Sequence, residues 1–177
     1  MTYRENYRLF FTTIASSALL VAACASLGNS APVASTEIGP ASGSEVRGNA
    51  SFARVPEGLK LTVSVAGLTP GEHGFHVHEV GDCSAADASS AKGHYNPGNK
   101  AHGGHDGEHH AGDLSNLVAG NDGKAEGSFV LTGLSIGSGE MNIDGRALVI
   151  HASPDDYKTQ PAGNSGKRVG CGVIKRI

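Results

Sequence analysis

Between residues 59 and 65 every second side chain is apolar: Leu59, Leu61, Val63 and Val65 alternate with Lys60, Thr62 and Ser64. A period of two describes a strand with one face on a core and one in water. It excludes an amphipathic helix, whose apolar residues recur every three to four positions. Comparable stretches return at 46–55, 59–68, 74–80, 114–119, 125–131, 147–151 and 169–174. Pro56-Glu57-Gly58, Thr69-Pro70-Gly71 and Asn121-Asp122-Gly123 are turn signals that bound several of them. The 26 glycines argue against long helices, and 177 residues that are 38% hydrophobic suffice for one core. The pattern predicts an antiparallel all-β barrel or sandwich of about eight strands.

The first residues stand outside that domain. Arg4 and Arg8 flank the start of an apolar run from Leu9 to Ala23, too short to span a bilayer comfortably, so residues 1–23 read as an export signal. The run ends in Leu20-Val21-Ala22-Ala23-Cys24, which resembles a bacterial lipoprotein cleavage box with Cys24 as the lipidated N-terminus; ordinary cleavage after Ala25 is the alternative. Alanine, not aspartate, follows Cys24, so the sorting pattern of such lipoproteins points to the periplasmic side of a bacterial envelope and an outer-membrane lipid anchor. Residues 24–44 are rich in Ala, Ser, Gly and Pro and nearly uncharged, which predicts a flexible tether ahead of a folded domain over 45–177. With Cys24 assigned to lipid, Cys83 and Cys171 remain as one pair, and an oxidising compartment makes a disulfide their natural state. The formal net charge is −3 and there is no basic stripe, so nothing points to a nucleic-acid partner.

Two long stretches, 81–112 and 153–167, are rich in Gly, His, Asp and Asn and poor in apolar residues. Loops of that length in a compact domain are functional or disordered. The histidines favour function. On a strand, His76 and His78 project to one face while Phe75 and Val77 face the other way. The first long loop and the residues after it add His94, His102, His105, His109, His110 and Asp113, and a later strand ends at His151. Imidazole suits zinc and copper, and a carboxylate beside histidines suits zinc better than copper(I). On composition alone, an exposed histidine-rich tract that holds metals loosely stays open.

The same residues carry a close resemblance to the copper/zinc superoxide dismutases. Gly74-Phe75-His76-Val77-His78-Glu79 with Gly81-Asp82 matches that family's first signature. Gly163-Asn164-Ser165-Gly166-Lys167-Arg168 with Cys171-Gly172-Val173-Ile174 matches its second. Between them His94-Tyr95-Asn96-Pro97, His102-Gly103-Gly104, His110-Ala111-Gly112-Asp113-Leu114 and His151 follow in the family's order, so the resemblance spans residues 45 to 177.

That resemblance implies a Greek-key barrel and the disproportionation of superoxide to oxygen and hydrogen peroxide, with one copper and one zinc per chain. Carried over by position, the copper ligands are His76, His78, His94 and His151, and the zinc ligands His94, His102, His110 and Asp113. His94 would bridge the metals and carry a proton, and Asp155 would orient histidines of both sets, its alternative being a plain turn aspartate. Arg168 would attract the superoxide anion, with Lys167 adding charge, and the Cys83–Cys171 link would bring Arg168 toward copper. His73 would pack beside the copper strand, while His105 and His109 have no counterpart. The resemblance allows a homodimer. A non-catalytic copper or zinc buffer that uses the tract from His102 to His110 is the competing function.

Overall fold

The computed structural model describes Met1 and residues 30–177. The export signal, Cys24 and the start of the tether lie outside those described residues. Ten strands follow in chain order: β1 (Pro32–Pro40), β2 (Arg47–Val55), β3 (Gly58–Ala66), β4 (Gly71–His73), β5 (Phe75–His78), β6 (Leu117–Ala119), β7 (Ala125–Thr132), β8 (Ala147–His151), β9 (Arg168–Val173) and β10 (Lys175–Arg176). Among the described residues the one helical element is a 3-10 turn, Ser89–Ala91.

Alternation governs the walls. β2 and β3 form a hairpin paired from Arg47↔Ala66 to Val55↔Gly58, with Pro56-Glu57 as the turn. Leu59, Leu61, Val63 and Val65 all point inward and are buried, while Thr62 and Ser64 stay in water. Burying each such side chain contributes about 1.5–3 kcal/mol.

The main sheet runs β5-β8-β9-β1-β2-β3-β7, with β10 added beside β1. The chain leaves β3 near one end of this path and crosses to β5 at the other. It returns to β7 beside β3, then crosses again to β8. These are Greek-key crossings, and the all-β, barrel-type expectation holds. The two ends of the path meet inside the curled sheet, where the Phe75 ring on β5 sits 5.9 Å from the Phe129 ring on β7. A separate β4–β6 ladder flanks this junction.

The expected tether is corrected over residues 32–40, which form β1 in the middle of the sheet. β1 pairs with β2 along Thr36↔Ala50 and Ile38↔Gly48, and with β9 at Gly39↔Cys171. Its inward residues are Ala34, Thr36 and Ile38, all buried. Two of these three carry little hydrophobicity, so the period of two is real but weak in the sequence. Backbone ladders on both edges hold the strand where side chains contribute least.

A second, smaller core of Ala41, Ala88, Ala91, Ala147, Val149 and Cys171 packs on the outer face of β8 and β9, with Cys83 against it. It seats the loop that follows β5 on the sheet. The Cys83–Cys171 disulfide is formed, with Cα atoms 5.8 Å apart and a sequence separation of 88.

Candidate metal centre

β5 separates a core face from a polar face. Phe75 and Val77 are fully buried in the main core, and His76 and His78 point the other way into a second buried site. The free edge of β5 then captures the long loop. Val77 N–H donates to Gly112 O at 2.9 Å, Tyr95 N–H donates to Val77 O at 2.8 Å, and Gly112 N–H donates to Tyr95 O at 2.8 Å. Gly112 is required there, since a Cβ would overlap Val77 O and crowd Tyr95 N. This weave pairs His78 with His94 and His76 with Asp113. His151 arrives from β8, whose Val149 lies opposite His76 in the ladder.

Two clusters result, each buried and each with its ligand atoms within 4.8 Å of one another: His76, His78, His94 and His151, and then His94, His102, His110 and Asp113. His94 belongs to both. All seven side chains expected from the sequence are therefore brought together, in the expected two groups.

Hydrogen bonds decide which ring nitrogen each histidine can offer. His76 Nε2–H donates to Asp155 Oδ2 at 2.7 Å, and His102 Nε2–H donates to Asp155 Oδ1 at 2.9 Å. His78 Nδ1–H donates to Lys92 O at 3.0 Å, and His151 Nδ1–H to Gly166 O at 3.2 Å. These oxygens only accept, so each proton sits on the nitrogen that faces away from the clusters. The other nitrogens carry lone pairs. His76 Nδ1, His94 Nε2, His102 Nδ1 and His110 Nδ1 are buried without a hydrogen-bond partner, and His78 Nε2 faces His151 Nε2 at 3.4 Å. Buried polar atoms left without partners are costly.

A metal removes that cost. Four ligands at about 2.0–2.1 Å in a tetrahedron stand roughly 3.3 Å apart. Asp113 Oδ1 lies 2.8 Å from His94 Nδ1 and 3.2 Å from His110 Nδ1, and Asp113 Oδ2 lies 3.0 Å from His102 Nδ1. For His102 and His110 the contact is close without hydrogen-bond geometry, since both atoms also count as unpartnered. The donor sets fit the metals expected of them: three imidazoles and a carboxylate for zinc, and four imidazoles for copper.

Burial sets the charges. It pushes the imidazole of His76 down to about 4, that of His78 to about 2 and that of His151 to about 3, so all three are neutral near pH 7, the form that ligates. Burial alone would raise the carboxyls of Asp113 and Asp155. For Asp113 the His94 bond, the His110 N–H and the His94 and His102 imidazoles outweigh it and hold the group well below the usual range. For Asp155 the His76 bond, the Tyr157 N–H and the His102 bond do the same, down to about 2.

Arg168 opens β9 opposite His151. Its Nη1–H donates to Ala88 O and its Nη2–H to Lys92 O, both at 2.5 Å. Lys92 O therefore accepts from both Arg168 and His78, which ties the guanidinium to that histidine. Lys167 is exposed beside it. His73 is buried and joins neither cluster; its ring nitrogens lie 2.7 Å from His151 O and 2.8 Å from Thr69 O, which fixes the end of β8. His105 and His109 also lie outside both clusters.

The sequence reading missed three groups. Lys92 O and Gly166 O orient histidines through backbone atoms, which carry no side-chain signal. Asn116 clamps Asp155 from both sides, its Nδ2 donating to Asp155 O at 3.0 Å and its Oδ1 accepting from Asp155 N at 2.9 Å. It sits inside the stretch 114–119 with no motif to mark it.

Residues 46–174 match the family model described as copper/zinc superoxide dismutase. The chain is 39% identical over 173 residues to the copper/zinc superoxide dismutase of Deinococcus radiodurans, covering 90% of this chain and 92% of that protein. It is 42% identical over 137 residues to one from Aquifex aeolicus, covering 74% of this chain and 80% of the relative. Among solved structures, a superoxide dismutase-like protein from Bacillus subtilis superposes with a TM-score of 0.71 at 40% identity, covering 78% of this chain and 95% of that one.

Proposed function

The chain belongs to the copper/zinc superoxide dismutase family, and from this membership we propose that its two buried clusters form one histidine-bridged copper–zinc centre. The protein is a superoxide dismutase that uses copper and zinc. In the proposed centre His76, His78, His94 and His151 hold copper, and His94, His102, His110 and Asp113 hold zinc. The observation that carries this reading is the ring of His94. Its Nδ1 faces the carboxylate cluster and its Nε2 faces the all-histidine cluster, buried and unpartnered.

When bound, copper supplies the one-electron couple for disproportionation and zinc supplies fixed charge, since it does not change oxidation state. The rest falls to the chain. Asp155 holds His76 and His102 in the tautomers that leave Nδ1 free, and Lys92 O and Gly166 O do the same for His78 and His151 at Nε2. His94 holds a proton at Nε2 in one half of the cycle and releases it to the product in the other. Arg168, anchored on the Ala88 and Lys92 carbonyls, offers a fixed positive charge to an anionic substrate. A local charge is needed because the whole chain is net negative.

The relative from Bacillus subtilis is named only superoxide dismutase-like, so a non-catalytic metal-binding role is the reading to test against. Purified protein with one copper and one zinc should inhibit superoxide-driven dye reduction. His94→Ala should abolish inhibition and loosen both metals. A metal-loaded wild type without inhibition overturns the enzymatic reading, and a fully active His94→Ala protein with both metals overturns the bridge. We also propose that the protein is exported and anchored by lipid at Cys24. In support, the other two cysteines are already paired with each other. Mass spectrometry of the mature N-terminus tests it, and an unmodified N-terminus at Ser26 would refute it.

A further inference from the structure

We propose that His105 and His109 form a third, solvent-facing site for a divalent zinc or copper ion, separate from the two buried clusters. The two rings lie 4.8 Å apart, centroid to centroid, at 70°. Pairs inside the buried clusters run from 3.9 Å for His76–His94 to 6.2 Å for His76–His78. The His105–His109 spacing thus falls within the range of the ligand-type pairs, although neither ring belongs to either cluster.

The tautomer fits as well. His109 Nδ1–H donates to His110 O at 2.8 Å, which leaves Nε2 as the lone-pair atom. The bond also fixes the ring's direction, as backbone carbonyls do for His78 and His151. Both rings line an open cavity of about 660 Å³, together with Asn96 and Lys100. An ion can reach them from solvent and complete its coordination with water.

Local charge favours a cation. Lys100, the one lysine or arginine among the described residues lining the cavity, is paired with Glu108 at 2.7 Å. Asp106 stands beside His105 in the same turn, where Gly107 N–H donates to Gly104 O at 3.1 Å. The segment His105-Asp106-Gly107-Glu108-His109 thus presents two imidazoles with a net negative surround. Imidazole with water is a donor set that zinc and copper(II) accept.

The test uses protein that already carries its full copper and zinc complement, titrated with zinc sulfate by calorimetry, followed by metal analysis. The wild type should bind a third zinc equivalent. His105→Ala should weaken that third equivalent at least tenfold while keeping two tightly held metals and full dismutase activity. His105→Gln, which keeps bulk and polarity, should weaken it equally. A wild type that stops at two metals overturns the site, and so does a third equivalent that His105→Ala binds as tightly as the wild type.

Discussion

Replacing Asp155 with asparagine isolates what a single carboxylate does for two metal sites. Its Oδ2 accepts from His76 at 2.7 Å, and its Oδ1 accepts from His102 at 2.9 Å and from Tyr157 N–H at 2.7 Å. Asparagine offers one acceptor oxygen where three donors need two. One imidazole N–H then meets an amide N–H. That ring must either swing away or move its proton to Nδ1, the atom aimed into its cluster, and in either case a ligand is lost or weakened. His76 sits in β5, laddered to Val149 on one side and bridged to Asp113 on the other. His102 sits on a loop ahead of Gly103-Gly104. The conflict is relieved where the backbone is softer, so the zinc cluster yields first.

Groups that orient metal-bound histidines are worth about 10- to 100-fold in affinity, or roughly 1.4–2.7 kcal/mol. Asp155→Asn should lower zinc affinity by that factor and copper affinity by less. Competition against a chelator of known affinity, with metal content read at each step, measures both. Copper leaving before zinc, or two unchanged affinities, would refute the reasoning.

Arg168→Gln should slow catalysis about tenfold at low ionic strength and flatten its salt dependence, because a fixed attractive charge raises anion encounter rates by at least that much; stopped-flow rates across a salt series show it. Serine at both Cys83 and Cys171 removes a crosslink with a sequence separation of 88, a loss of about 4.6 kcal/mol in the chain-entropy model, readable as a shift in denaturant midpoint; a loss under about 1 kcal/mol would contradict it. Gly163→Ala puts a Cβ onto Asp155 Oδ1 and against His102 Nε2 at a φ of +62°, so stability should fall by about 1–3 kcal/mol with zinc lost alongside it, measured by calorimetry and metal analysis. Metal-free protein should lose stability as pH falls from about 6.5 toward 4. Folded His76, His78 and His151 resist protons down to about 4, 2 and 3, while the unfolded chain binds them, at about 1.4 kcal/mol per histidine one pH unit below 6.5. Thermal midpoints of the metal-free protein that stay level across that window would show the histidines are not held neutral.

What the sequence makes legible follows from where the information resides. His76 and His78 share a face because a strand has period two, and that needs no tertiary knowledge; Phe75 and Val77 in the core are the other half of the same statement. Neither the sharing of His94 between clusters nor the choice of nitrogen on each ring has a local signal: the first depends on the pairing of His94 with His78 and its contact with Asp113, the second on Lys92 O, Gly166 O and Asp155. Strand β1 was hidden for a different reason. Its inward side chains Ala34 and Thr36 bury little apolar area, and its place between β2 and β9 is secured by backbone pairing, to which side-chain pattern is blind. Both failures have one physical root. Composition and periodicity report what a residue does with water, whereas the site and the central strand are built from what the backbone does with distant partners. The Lys92 carbonyl is the sharpest instance, because a lysine in a polar loop carries no side-chain hint that its oxygen holds both the His78 ring and the Arg168 guanidinium in place.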